Sequence, residues 1–183
     1  MAPIFPATVL RTGTVVLRPF SSADVADTQA AAADPLTQEW LPLPCPYTLD
    51  HAVDWCTIAS HRLRTEGKGI HFALADAETD RLLGTVGLRR TNWRSLTSEL
   101  GYWTAPWARR RGHAAEATRA VSHWALQEHG FERLELKAAV DNVASRKTAL
   151  RAGFREEGIM RNAGIVHGGR VDLALFSLTP ADL

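Results

Sequence analysis

Between Gly112 and Gly130 apolar residues return with the period of an α-helix. Ala117, Ala120, Val121 and Trp124 stand at i, i+3, i+4 and i+7, with Glu116, Arg119, His123 and Gln127 on the opposite side. A helix divided in this way has one face to bury. The segments around it are strand-like: "SELGYWTAP" comes before, stopped by Pro106, and "RLELKAAV" follows with Leu134, Leu136, Ala138 and Val140 on one face. The chain is thereby committed to helices packed on a sheet.

The rest of the sequence has the same alternation of periods. "TVVLRPF" reads as a first strand, and "SSADVADTQAAAAD" as a helix with a Ser/Asp start signal. The prolines of "LPLPCP" forbid a helix there. "TLDHAVDWCTIASHRLRTEG" then predicts a second helix ending at Gly67, and "IHFALADAETDRLLGTVGLRRT" two strands around an acidic turn. "DNVASRKTALRAG" is a helix capped by Asn142 and closed by Gly153, and "RVDLALFSL" is the last of two closing strands. The expectation is a mixed α/β fold, one domain over residues 1–183.

Composition narrows the function. A chain of 183 residues with 45% hydrophobic and 22% charged residues can bury roughly 70% of its unfolded surface as one domain. With 21 Lys plus Arg against 20 Asp plus Glu, no overall field draws it to nucleic acid or to an anionic membrane, and neither partner is expected. The opening "MAPIFPATVLRTGTVVLRPF" lacks a basic n-region before an apolar run, so a cytoplasmic location is expected. Cys45 and Cys56 make no CxxC pattern and read as small, reduced, buried side chains. The seven histidines do not cluster with carboxylates at ligand spacing, so no metal is expected.

Local charge is concentrated in "WARRRGHAAEAT", Trp107 to Thr118, between the end of a strand and the first turn of the central helix. Backbone N–H groups are unpaired at such a point and the helix dipole is positive, so anions bind there readily. Gly112 lets the backbone come close to a phosphate, Ala114 keeps the first turn free of bulk, and Arg109, Arg110 and Arg111 add guanidinium donors. The segment reads as a pyrophosphate cradle that includes His113, acting through its backbone. There is no GxxxxGK[ST], and "GTVG" at Gly84 to Gly87 is not the dinucleotide fingerprint.

These residues resemble the GNAT superfamily of acyl-CoA-dependent N-acyltransferases, whose signature is Gln/Arg-x-x-Gly-x-Gly/Ala. "RRRGHA" supplies Arg109, Gly112 and Ala114 in those places. "LLGTVGL", "SELGYWTAPWARRRGHA" and "DNVASRKTALRAGFREEG" are similar to successive family segments. With "TVVLRPF" and "GGRVDLALFSL" they resemble the branch of the ribosomal-protein-alanine N-acetyltransferases. The resemblance implies a mixed, mostly antiparallel twisted sheet of about seven strands flanked by about four helices. It also implies acetyl-CoA as co-substrate, no metal, and direct attack by an amine in a ternary complex.

An ammonium ion is no nucleophile, so a base or a water chain must remove its proton. Glu99 is the candidate, with Trp103 on the same side of its strand expected to desolvate it and raise its pKa; pairing with Arg89 or Arg90 is the other reading. His71 and His113 are further candidates. The resemblance implies a backbone oxyanion donor around Tyr102, Trp103 and Thr104, and cofactor contact through Asn142. Seven residues beyond Asn142, where many relatives carry an acidic tyrosine, stands Ala149. The branch's serine three residues on is Ser145, which is read either as proton donor to the leaving thiolate and cofactor contact, or as an ordinary first-turn serine.

The acceptor is expected opposite the cofactor, about Asp34 to Gly69 and "MRNAGIVHGG". Trp40, Trp55 and Trp93 are candidate walls, and Asp34, Glu39, Asp50 and Asp54 candidate attractors of a cationic amine. Peptide N-terminal α-amines and small-molecule amines both stay open, as do a larger acyl group, a homodimer, and a catalytically silent acyl-CoA binding module.

Overall fold

The computed structural model describes residues 3–183. Its strands are β1 (Leu10–Arg11), β2 (Val15–Arg18), β3 (Ile70–Asp76), β4 (Leu82–Asn92), β5 (Thr97–Thr104), β6 (Arg133–Ala139), β7 (Arg155–Val166) and β8 (Gly169–Leu178). All eight join one sheet in the order β1-β2-β3-β4-β5-β6-β8-β7. Every neighbouring pair is antiparallel except β5 and β6. The expected mixed, mostly antiparallel sheet is found with one strand more than anticipated; β1 is two residues long, too short to leave a period in the sequence.

The helices are α1 (Val25–Ala32), α2 (Pro35–Trp40), α3 (Leu49–Asp54), α4 (Ser60–Thr65), α5 (His113–His123) and α6 (Val143–Arg151). The single helix predicted from Thr48 to Gly67 is α3 and α4 joined through a π turn at Trp55–Ala59, with Thr48 as its N-cap. The short α2 lies outside the expected helices; it starts at Pro35 with the Asp34 side chain accepting from Thr37 N–H.

The central helix behaves as its period requires. Ala117, Val121 and Trp124 are buried against Phe72, Leu100, Leu134 and Leu136 on one face of the sheet. Burying side chains of this size stabilises by roughly 1.5–3 kcal/mol each for the larger ones. On the opposite face Phe20, Cys56, Ala73 and Leu82 form a smaller cluster with Trp55 and Trp103. Cys56 is buried as expected, but Cys45 is exposed, because it lies in the proline-rich connection that no element covers.

Two features position the site. Pairing of β5 with β6 runs from Thr97↔Arg133 to Leu100↔Leu136 and stops, while β5 stays paired to β4 as far as Thr104 and β6 to β8 as far as Ala139. The sheet therefore splits beyond Leu100. Because β5 and β6 are parallel, α5 must return antiparallel to them, so its N-terminus lies at the split end. The N-terminus of α6, which follows β6 directly, lies there too.

Candidate active site

The cradle is shaped by two left-handed residues, Arg110 at φ 64° and Gly112 at φ 85°. A side chain at position 112 would meet nothing within 4 Å, so the glycine answers to the backbone angle and to an open approach, not to crowding. Gly112 is the N-cap of α5 and no side chain caps the helix; the first helical bond runs from Glu116 N–H to the Gly112 carbonyl. The N–H groups of His113, Ala114 and Ala115 therefore precede the helical ladder. Upstream, Trp107 Nε1 donates to the Leu82 carbonyl at 2.8 Å and Arg81 stacks on the Trp107 ring, fixing the loop to β4.

The three arginines divide. Arg110 and Arg111 are exposed at the cradle. Arg109 is turned away: its Nη2 donates to Asp34 Oδ2, and at 3.1 Å to Thr37 Oγ1, tying the loop to α2. Burial pushes the Asp34 carboxyl up, but the bonds from Arg109 and Thr37 outweigh this and hold it below its ordinary value. The Asp34 carboxylate and one nitrogen of the Arg109 guanidinium are thus already paired with each other, and a contact across 75 residues leaves no local signal.

Along β5, Glu99, Gly101 and Trp103 share one face, as their alternation required, and Gly101 to Thr104 border the split. Glu99 is 4% exposed and sits among cations: Arg89 Nη2 at 2.5 Å, Lys137 Nζ at 3.1 Å and Arg90 Nη1 at 3.2 Å. Burial alone would raise its pKa; Arg89, Lys137 and Arg90 together more than reverse this and lower it. The expected upward shift is therefore not found. Trp103 packs with the Phe20 and Cys56 cluster, whereas Lys137, invisible until the parallel register of β5 and β6 is known, reaches the carboxylate.

On the core side of β5 the Tyr102 ring packs against the main cluster, and its hydroxyl reaches α6. Asn142 caps α6, accepting from Ser145 N–H at 3.0 Å, so the capping reading of Asn142 is correct in geometry. Ser145 Oγ lies 3.1 Å from the Tyr102 hydroxyl. Burial pushes that phenol up to about 12, against the opposing bond from Ser145.

His71 on β3 faces the same side as Glu99, edge-on to Trp55 at 5.0 Å; burial first, and then Arg89, push its pKa down to about 4. His113 Nδ1 is 3.4 Å from Thr14 Oγ1, and Glu116 accepts from Thr14 N–H and hydroxyl, anchoring the β1–β2 turn to α5. Trp93 is half-buried and packs against the main core, tilted against Phe5 and Phe131. Glu39, Asp50 and Asp54 are exposed. Among the described residues no group of three or more His, Cys, Asp or Glu is placed to hold a metal ion, and no helix is long and apolar enough to cross a membrane.

A family model described as Acetyltransferase (GNAT) domain matches residues 14–155. The chain belongs to this family. As a GNAT member it is an acetyl-CoA-dependent N-acetyltransferase. It is 26% identical over 176 residues to the uncharacterized N-acetyltransferase YoaA of Bacillus subtilis, covering 96% of this chain and 97% of that protein. It is 31% identical over 98 residues to the ribosomal-protein-serine acetyltransferase of Escherichia coli, covering 54% of this chain and 55% of that protein. Among solved structures it is similar to the microcin C7 self-immunity acetyltransferase MccE in complex with acetyl-CoA and AMP. The TM-score is 0.82 at 19% identity, covering 92% of this chain and 93% of that one. At that identity the likeness concerns the fold of this GNAT member.

Proposed function

We propose that residues 1–183 act as one catalytic unit in the cytoplasm, moving an acetyl group from acetyl-CoA to a primary amine, a peptide N-terminus or a small molecule, by direct attack in a ternary complex. The observation that carries this reading is the convergence at one end of the sheet: the β5–β6 split, the uncapped N-terminus of α5 and the capped N-terminus of α6. Uncapped N–H groups at a left-handed glycine fit a diphosphate.

In this reading the N–H groups of Gly112, His113 and Ala114, with Arg110 and Arg111, hold the diphosphate. The free edge of β5 at Tyr102, Trp103 and Thr104 supplies main-chain partners for the pantetheine arm and a donor to the oxyanion. Asn142 fixes the start of α6 beside the arm, and Ser145, held by Tyr102, offers a hydroxyl to the leaving thiolate. Glu99 stays ionised and accepts a hydrogen bond from the attacking amine, whose proton goes to water as the C–N bond forms and the C–S bond breaks. A carboxylate held below its ordinary pKa is a weak base, and the surplus of cations around it disfavours an ammonium ion, so the acceptor reacts as the neutral amine.

The test is a thiol-release assay with acetyl-CoA over a panel of amines, with Gly112→Glu as the cofactor-blind control. Release above background with at least one amine, abolished in the control, is expected. Saturable acetyl-CoA binding without release from any amine would mean a silent binding module.

A further inference from the structure

Beside the two arginines that pair with Glu99 lies an open cavity of about 350 Å³ lined by Leu63, Lys68, Gly69, His71, Arg89, Arg90 and Thr91. Its three charged lining residues are all cations. Arg89 and Arg90 come to it by an irregularity of the strand. Arg89 stands opposite Glu99 in the β4–β5 ladder, and the register then shifts between Arg89 and Asn92, with Arg90 at φ 51°. In an unbroken strand consecutive side chains point to opposite faces, and Arg90 would share the core face with Leu88. Instead both guanidiniums reach the same carboxylate, Arg89 on Oε1 and Arg90 on Oε2 of Glu99. A bulge that re-aims a side chain beside a site, with a non-glycine residue in the left-handed region, is a costly arrangement, and such features gather at functional sites.

The carboxylate below does not exhaust these cations. Glu99 is shared by Arg89, Arg90 and Lys137. Among the described residues the guanidiniums of Arg89 and Arg90 have no hydrogen-bond partner besides Glu99, each through one nitrogen, which leaves most of their five donors over. Arg90 is 73% exposed and Arg89 50%, so both guanidiniums are open to solvent. Lys68 at the rim pairs with Glu66, itself exposed. His71 on the wall is neutral at neutral pH and subtracts nothing.

Between cavity and split the two strands carry glycines, and the Arg89 guanidinium lies over one of them, its Nε 3.7 Å from where a side chain at Gly101 would begin. Gly87 and Gly101 are directly paired on the face shared with His71 and Glu99, and a side chain at 87 would come within 2.7 Å of His71 Nδ1. From Glu99 to Gly101 is two residues of strand, about 7 Å. A group held by the arginines is thus a short molecular span from the free edge of β5.

We propose that the acceptor is a primary amine carrying an oxyanion, a carboxylate or a phosphate, close to its nitrogen, and that Arg89 and Arg90 grip that oxyanion with Lys68 at the rim. Paired guanidinium donors suit both oxyanions. A cationic acceptor meets like charge in the same place and is excluded. This inference rests on the transferase reading above and names its substrate class.

The test compares amines matched in size: 2-aminoethyl phosphate and β-alanine against ethanolamine and 1,2-diaminoethane, and peptides beginning Ala-Asp against Ala-Lys to separate small-molecule from peptide sources. The anionic member of at least one set is expected to exceed its neutral or cationic partner about tenfold or more in kcat/KM. Arg90→Asn, which keeps a residue tolerant of the left-handed backbone, is expected to shrink that gap to about twofold, mainly through KM; Lys68→Gln narrows it less. Preference for neutral or cationic amines in every set, or a gap untouched by Arg90→Asn, overturns the proposal. If no amine releases thiol although acetyl-CoA binds, the transferase reading fails by itself. The grip is then judged by calorimetry with 2-aminoethyl phosphate: binding weakened by Arg90→Asn supports it, and equal binding by both proteins overturns it.

Discussion

The Tyr102 hydroxyl donates to the Ser145 carbonyl at 2.8 Å and stands 3.1 Å from Ser145 Oγ, joining the strand that borders the split to the helix that flanks it. The phenol's pKa of about 12 keeps it protonated throughout the working range, so it orients Ser145 without exchanging protons itself.

A hydroxyl that only hydrogen-bonds a departing thiolate contributes on the order of 1 kcal/mol, so Ser145→Ala is expected to lower kcat about fivefold to tenfold and to leave the KM for acetyl-CoA nearly unchanged. Tyr102→Phe should cost about 1 kcal/mol in a urea titration. If the two side chains act as one unit, the double variant has the kcat of Ser145→Ala alone. Additive losses in kcat would separate them.

Gly112 distinguishes backbone strain from blockage. Gly112→Ala places a Cβ at φ 85° in open space, and is expected to destabilise by about 1–2 kcal/mol while weakening acetyl-CoA binding modestly. Gly112→Glu adds a carboxylate where the reading puts a diphosphate, and calorimetry should show affinity lower by more than tenfold. Equal affinities for the two variants would remove the diphosphate from this turn.

Asp34→Ala leaves the Arg109 guanidinium without its carboxylate, and a loss of about 1–3 kcal/mol in the unfolding free energy, measured by urea titration, is expected. Because the folded pKa of Asp34 is depressed, its contribution is full above the ordinary value of 3.8 and is lost as pH falls through the lower folded value. Wild type and Asp34→Ala should therefore converge in stability only below about pH 4. Convergence already at neutral pH would show that the pair is idle.

This pair also marks where the sequence stops being legible. Elements with a period of their own, such as α5, β6 and the capped α6, were readable because apolar spacing is a local property. Glu99, Tyr102 and Ser145 could be named from their motifs, but not their neighbours. Lys137 reaches Glu99 only because β5 and β6 are parallel and in that register, and Arg90 turns outward only because the ladder slips at a bulge. Trp93 has the residue type of a pocket wall, yet it packs on Phe5 from the far end of the chain. Pairings of this kind are decided by the assembled sheet, and single-sequence patterns carry no trace of them.

Glu99 offers the sharpest test of the proton's route. Its folded pKa is depressed, so at neutral pH it is ionised and its stabilising effect is complete; that effect fades only as pH falls through the depressed value, below the ordinary 4.5. A Glu99 acting as a base with a raised pKa would instead impose an acid limb on kcat/KM between about pH 5 and 7. With Glu99 ionised throughout that range, the rise of rate with pH belongs to the acceptor, and its midpoint should move when amines of different basicity are compared. Glu99→Gln should lower the rate about tenfold to a hundredfold at every pH and keep the same midpoint. A midpoint that stays fixed across amines in the wild type and vanishes in Glu99→Gln would return the proton to the carboxylate.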